Sequence, residues 1–374
     1  VKGSQRTLSA LLVCTALAAS VLGLNQIATA AGTDPAPAAA PAHDPAAVAA
    51  YAGHVGHAEP VGHSTAVSAL PSDDDPDGDG YIPADPPVTG VTPSHATPPP
   101  RYFHEFQANC AVSHAAPDDP IVYPGQPGRS HDHTFMGNTS TDAASTTASL
   151  SGGETTCKVP GDSSAYWMPS LYDGDEKILP IGDQVIYYKA GVTDYTSVRP
   201  FPKGLRFVVG SPAQSPQEFR DHPGWVEGWE CGDSFGNVAF PQNYPSGTQL
   251  NLRMQAPSCW TGLHLDTPGH QSHMAYPVVK PGTNDNVCPP SHPVALPMIE
   301  FKMAFPVDGD MSRVRLASGG AHSFHYDFFN AWDERTLDAM VDHCVVGGLQ
   351  CDARGYDQNR PEAGAALNAD YELP

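Results

Sequence analysis

Short runs of alternating apolar and polar residues, each closed off by Gly, Pro, Asn or Asp, recur through the C-terminal half of this chain and restrict it to a strand-built fold. Leu250-Asn-Leu-Arg-Met and Ile299-Glu-Phe-Lys-Met are clean examples. The spacing predicts strands over 185–192, 205–210, 250–255, 274–279, 298–305 and 314–317. One stretch has a helical period instead. Over 333–346, Asp333 supplies an N-cap, Leu337, Met340, Val341 and Cys344 form an apolar stripe, and Gly347-Gly348 stops the run. The expected fold is therefore mainly β: an antiparallel β-sandwich with long loops and one C-terminal helix.

The rest of the chain divides by composition. Residues 1–30 read as an export signal, with Lys2 and Arg6 ahead of the apolar run Leu8 to Leu24 and small residues at Ala28-Thr-Ala30. Residues 31–100 are rich in Ala, Pro, His, Gly and Asp, too poor in large apolar groups to bury a core, and read as a linker. Within it, 73–86 holds an acidic island. With Asp75 as position one, Asp77 and Asp79 fall at three and five and Gly80 at six, the first half of a calcium loop. Pro86 stands where the bidentate acid belongs, so an acidic turn is the competing reading. Residues 101–352 have the composition of a single folded domain, and 353–374 read as a loose polar tail.

A formal net charge of −22 argues against nucleic acid, whose phosphates demand a basic surface, and against anionic membranes once the signal is removed. The expected location is secreted and extracellular, and there the seven cysteines after Cys14 favour disulfides. Cys344 with Cys351, Cys259 with Cys288 and Cys110 with Cys157 are the expected pairs, leaving Cys231 over.

Three stretches concentrate chemistry. Ser130-His-Asp-His133 sets two histidines two apart, on one face of a strand, a spacing suited to metal ligands and also common in ordinary loops. The loop Ser258 to Pro277 packs Trp260, His264, Asp266, His270, His273 and Tyr276 into twenty residues and continues to His292. In His325-Tyr-Asp327, with Asn330 close behind, a carboxylate and an imidazole face the same way on extended backbone. Gly232-Asp-Ser-Phe-Gly236 matches the nucleophile elbow around Ser234, but no helix former follows it.

Taken together, His131-Asp-His133, Ser164 to Tyr172, Phe201 to Arg206, Ser258-Cys-Trp-Thr-Gly, Leu265 to Pro277, Cys288 to Pro297 and His325 to Asp333 resemble a family: the domain of unknown function nineteen-ninety-six, found in secreted bacterial and fungal proteins. The likeness runs from about Phe103 to Cys344. It implies that His131, His133, Trp260, Asp266, His270, His273, His292, His325, Asp327, Asn330 and Asp333 are hallmark positions. Glu154 stands where the family often has a second cysteine, Gly269 replaces a common Asp, and Ala331 replaces a Gly. The family carries no settled activity, although in fungal proteins the domain can be joined to carbohydrate-binding cell-wall modules.

Three expectations follow. The first is engagement of an extracellular polysaccharide or cell-wall polymer, with Trp260, Trp167, Tyr276 and Asn330 binding sugar and Asp266, His273, His325 and Asp327 available for cleavage, the carboxylates as an acid–base pair. The second is a divalent metal held by His131, His133, His270 and His292, with Asp75, Asp77 and Asp79 as a weaker calcium set. The third is a surface protein whose His and Asp groups serve only buried hydrogen-bond networks.

Overall fold

The structure is a computed structural model that describes residues 72–373, apart from Tyr102, 232–235 and 243–244; the side chains of Glu227 and Cys231 are also not described. The export signal, the linker up to residue 71 and Ser234 lie outside the described residues. Everything described belongs to one compact unit.

Two large sheets form the fold, and it is mainly β as the alternation predicts. A six-stranded sheet has the order Trp225–Cys231, Leu250–Gln255, Pro297–Phe305, Val185–Ala190, Glu105–Gln107, Gln350–Cys351. A five-stranded sheet has the order Val112–Ala116, His133–Gly137, Ala165–Pro169, His325–Phe329, Arg206–Gly210. All pairings in both are antiparallel except that of Glu105–Gln107 with Gln350–Cys351. The sheets meet through aromatic side chains: Phe301 of one stacks on Tyr326 of the other at 4.5 Å between ring centres, and Tyr166 reaches Phe301 at 6.1 Å. Burying such rings supplies the main driving force of the sandwich.

The central strands of the smaller sheet escape a simple alternation rule because both of their faces are buried. His133–Gly137, Ala165–Pro169 and His325–Phe329 are buried at every position. Their inner face packs on the six-stranded sheet, with Met136, Tyr166 and Phe328 in the main core. Their outer face carries a second, smaller core of Phe135, Trp167 and Phe329 with Val208 of the neighbouring Arg206–Gly210 strand, covered by Ile121 from the loop before His133–Gly137 and by Leu150 from the short helix after it.

The C-terminal helix begins at its expected cap, Asp333, whose side chain accepts from the Thr336 N–H; it runs α-helical over Glu334–Met340 and widens to a π-helix over Val341–Val346. Two short helices, Thr147–Leu150 and Pro216–Asp221, were not visible in the periodicity. The three expected disulfides are formed: Cys110–Cys157, Cys259–Cys288 and Cys344–Cys351. The expected strand over 274–279 is two short pieces, Met274–Ala275 and Val278–Val279.

Two segments assigned by composition to loose chain make specific contacts. Ile82–Pro83 pairs antiparallel with His264–Asp266, setting Ile82 opposite Asp266. The strap continues with Ala84 N–H donating to Leu263 O and Val88 N–H to Gly262 O. Gly262 sits at φ +83°, and a Cβ there would lie 2.1 Å from Val88 O, so the close approach requires glycine. At the strap's start, Asp74 binds the Arg206 guanidinium at 2.6 Å and also accepts from Thr147. Arg206 is buried, so this carboxylate answers a charge that would otherwise be costly. At the other end, Leu367 is buried and Arg354 Nε donates to its carbonyl.

Candidate metal centre

Sheet register brings the histidines together. Phe135, Trp167, Asp327 and Val208 lie in one row across four strands of the smaller sheet. His133 precedes Phe135 by two residues and His325 precedes Asp327 by two. The strands of His133 and His325 both run antiparallel to Ala165–Pro169, so a step back of two along each leads in the same direction. The two imidazoles therefore stand on the outer face, on either side of Pro169, which pairs with His133. His131 adds a third ring from the loop leading into the strand. Ring centres lie 4.3 Å apart for His131–His133, 5.0 Å for His131–His325 and 5.9 Å for His133–His325. One nitrogen from each falls within 4.8 Å of the others. Asp132, between the two histidines in sequence, points elsewhere and holds Lys177 at 2.8 Å and the Tyr172 hydroxyl at 3.0 Å.

Backbone carbonyls orient two of these rings. His133 Nδ1 donates to Asp118 O at 2.9 Å, and His325 Nδ1 donates to Ser323 O at 3.0 Å. Each ring is thereby left with a bare lone pair on Nε2, the state in which imidazole binds a metal. Nε2 of His133 and of His131 is buried and finds no hydrogen-bond partner among the described residues. Burial holds all three neutral. It pulls His131 down, brings His325 to about 3, and lowers His133 well below its ordinary value, with the neighbouring histidines adding to the effect.

Asp327 lies one row away, at 0% exposure, and neither of its carboxylate oxygens meets a donor. Burial raises it well above the carboxylate range, and the nearby charge of Asp119 adds to the rise. Asp119 is buried too, accepting from the N–H groups of Ile121 and Val122 at 3.0 and 2.9 Å, and burial lifts it to about 6. Trp167 Nε1 lies near enough to Asp119 to help keep it ionised, yet closes no hydrogen bond to it. Asp119 was not visible as a site residue. Its only signal is Pro117-Asp-Asp-Pro120, an acid pair between prolines.

The dense loop from Ser258 forms a second arrangement beside the first, linked to it through Asp119 and Val208. His270 Nδ1 meets the Asp266 carboxylate at 3.0 Å. Burial lowers His270, but the hydrogen bond and charge of Asp266, with Asp119 behind them, outweigh it and the net shift is upward. His270 takes φ +58°, a left-handed conformation uncommon for histidine, and its carbonyl accepts from Val208 N–H at 3.0 Å. His273 is fully buried, with Nε2 donating to Arg206 O at 2.8 Å and Nδ1 accepting from Thr267 Oγ1 at 3.0 Å. Both nitrogens are occupied, and burial lowers it to about 4. It braces the loop.

Several expected site residues are corrected by these placements. Trp167 and Trp260 are 0% and 1% exposed, so neither offers a ring face to a sugar. Trp260 Nε1 instead donates to His264 O, and Tyr276, half-buried, donates its hydroxyl to Gln255 O. Asn330 is buried and donates to Pro202 O. His270 is committed to Asp266, and His292 to Ser272 O and Ser291 Oγ, so neither joins the three-histidine set. Asp75, Asp77 and Asp79 do bring one oxygen each within 4.8 Å of the others. Asp75 already accepts from Gly78 and Gly80 and Asp79 from Tyr81, so the loop is closed by its own backbone.

No helix among the described residues is long and apolar enough to cross a membrane, and the three disulfides are compatible with an extracellular protein. No curated protein sequence and no solved structure matches the chain. The family described as Domain of unknown function (DUF1996) matches residues 119–332, more than half of the chain and the span that includes all three histidines, Asp119 and Asp327. The chain therefore belongs to the DUF1996 family.

Proposed function

We propose that this DUF1996 protein is a secreted metal-binding protein, its centre formed by His131, His133 and His325. The observation that carries this reading is the convergence of three imidazole nitrogens within 4.8 Å, with carbonyl partners fixing the tautomers of His133 and His325. A network that served stability alone would satisfy its buried nitrogens, and Nε2 of His131 and His133 are bare. Three neutral imidazoles select a borderline divalent ion, zinc or copper, over calcium or magnesium.

Polysaccharide binding ranks behind this reading, because the tryptophans invoked for it are buried. The test is equilibrium dialysis of the purified domain against zinc, followed by elemental analysis. One zinc per chain in the wild type, and far less in His133→Ala and His325→Ala, is the expected result. Substoichiometric zinc in the wild type, or uptake unchanged by both substitutions, overturns the reading.

A further inference from the structure

A metal among the three histidines accounts for their free nitrogens but not for the next row of the sheet. Asp327 keeps both oxygens buried without a donor, and its cross-strand neighbour Trp167 keeps a buried N–H that closes no hydrogen bond. Buried polar groups left open beside a ligand cluster require a further partner. Among the described residues the cluster supplies three nitrogens and no fourth protein ligand, whereas a structural zinc site is closed by four.

The spacing suits a small group in between. Rows two residues apart on a strand are separated by roughly 7 Å. A metal–oxygen bond of about 2 Å and a hydrogen bond of about 2.8 Å cover most of that distance. An oxygen on the metal would thus reach the row of Asp327 and Trp167.

We propose that the centre keeps its fourth coordination position open to a small exogenous ligand, water in the resting protein, held on its far side by Asp327 as hydrogen-bond acceptor and Trp167 as donor. This rests on the metal reading above and deepens it. An exchangeable position backed by a positioned carboxyl group, whose carbonyl oxygen can accept while the acid is neutral, is the arrangement of reactive rather than structural metal sites. Asp327 and Trp167 are positioning residues here, acting on what the metal holds.

The experiment is azide titration of the cobalt-substituted protein, followed by visible absorption. The wild type should take up one cobalt, and azide should change its spectrum saturably. Both Asp327→Asn and Trp167→Phe should still load cobalt. Azide, which has no hydrogen to donate, should bind at least tenfold more weakly without the Trp167 donor and at least tenfold more tightly where Asp327→Asn replaces an acceptor by a donor. A cobalt spectrum indifferent to azide overturns the open position while leaving the metal reading intact. Azide affinities within twofold of wild type in both variants overturn the roles of Asp327 and Trp167. Failure of the wild type to bind cobalt overturns the metal reading and this inference together.

Discussion

Tyr166 and Trp167 are neighbours on one strand, and they face two different kinds of buried polar environment. On the inner face, the Tyr166 hydroxyl donates to Asp162 at 2.9 Å and meets the Tyr188 hydroxyl, which accepts from Trp332 Nε1 at 2.9 Å. Asp162 also accepts from the Ser164 N–H at 3.1 Å, and burial raises it to about 7. That network is closed. On the outer face, Trp167 Nε1, both oxygens of Asp327, and Nε2 of His131 and His133 are equally buried and open. Both faces are built from the same strands, so packing alone does not explain the difference. A closed network stabilises the fold, whereas an open one is a set of groups aligned for something that the chain does not itself contain.

The contrast is sharpened most by metal. Zinc at a thousandfold excess over its dissociation constant should stabilise the wild type by about 4 kcal/mol, read as a rise in unfolding midpoint, and this gain should vanish in His133→Ala. Breaking the inner network comes next. Asp162→Ala leaves the Ser164 N–H and one hydroxyl proton of the Tyr166–Tyr188 pair without an acceptor and should cost about 3 kcal/mol in denaturant unfolding, with or without zinc.

Acid gives a similar loss through buried histidines outside that network. His273 is held near 4 and His325 near 3, both below an unfolded value of 6.5, so their contribution is complete above pH 6.5 and is lost as pH falls toward those values. For His273 this amounts to about 3 kcal/mol, and the metal-free protein should lose stability steeply between pH 6.5 and 4. His270 works in the opposite direction. Raised by Asp266, it stabilises below pH 6.5 and loses that contribution as pH climbs through its folded value, and a His270→Gln variant should show no such alkaline decline. The smallest effect is the most diagnostic. Asp327→Leu removes an unpaired buried carboxyl and should leave the metal-free protein unchanged or more stable by about 1 kcal/mol, whereas an equivalent loss at Asp162 is destabilising.

Much of this was legible in residue order. Leu250–Gln255 and the Asp333 cap announce themselves by period and chemistry, and the cysteines paired as their positions suggested. The two-residue spacings His131–His133 and His325–Asp327 each revealed a shared face. Their meeting was not legible, because it depends on the Ala165–Pro169 strand inserting between them, and that strand, buried on both faces, shows no alternation. The loop from Ser258 misled for a related reason. Its density of His, Trp and Asp looked like a site, but Trp260 Nε1 and His273 Nε2 are spent on backbone carbonyls that the folded chain brings near. Asp74 belonged by composition to a linker, and its partner Arg206 lies 132 residues away.

The central claim is that three imidazoles of this chain bind one metal ion. X-ray absorption at the zinc edge of the loaded protein tests it directly. The expected shell is three imidazole nitrogens at about 2.0 Å and one further light atom, and the small residual zinc that His325→Ala takes up at high excess should show no more than two imidazoles. An all-oxygen shell, or an imidazole count unchanged by losing His325, would contradict it.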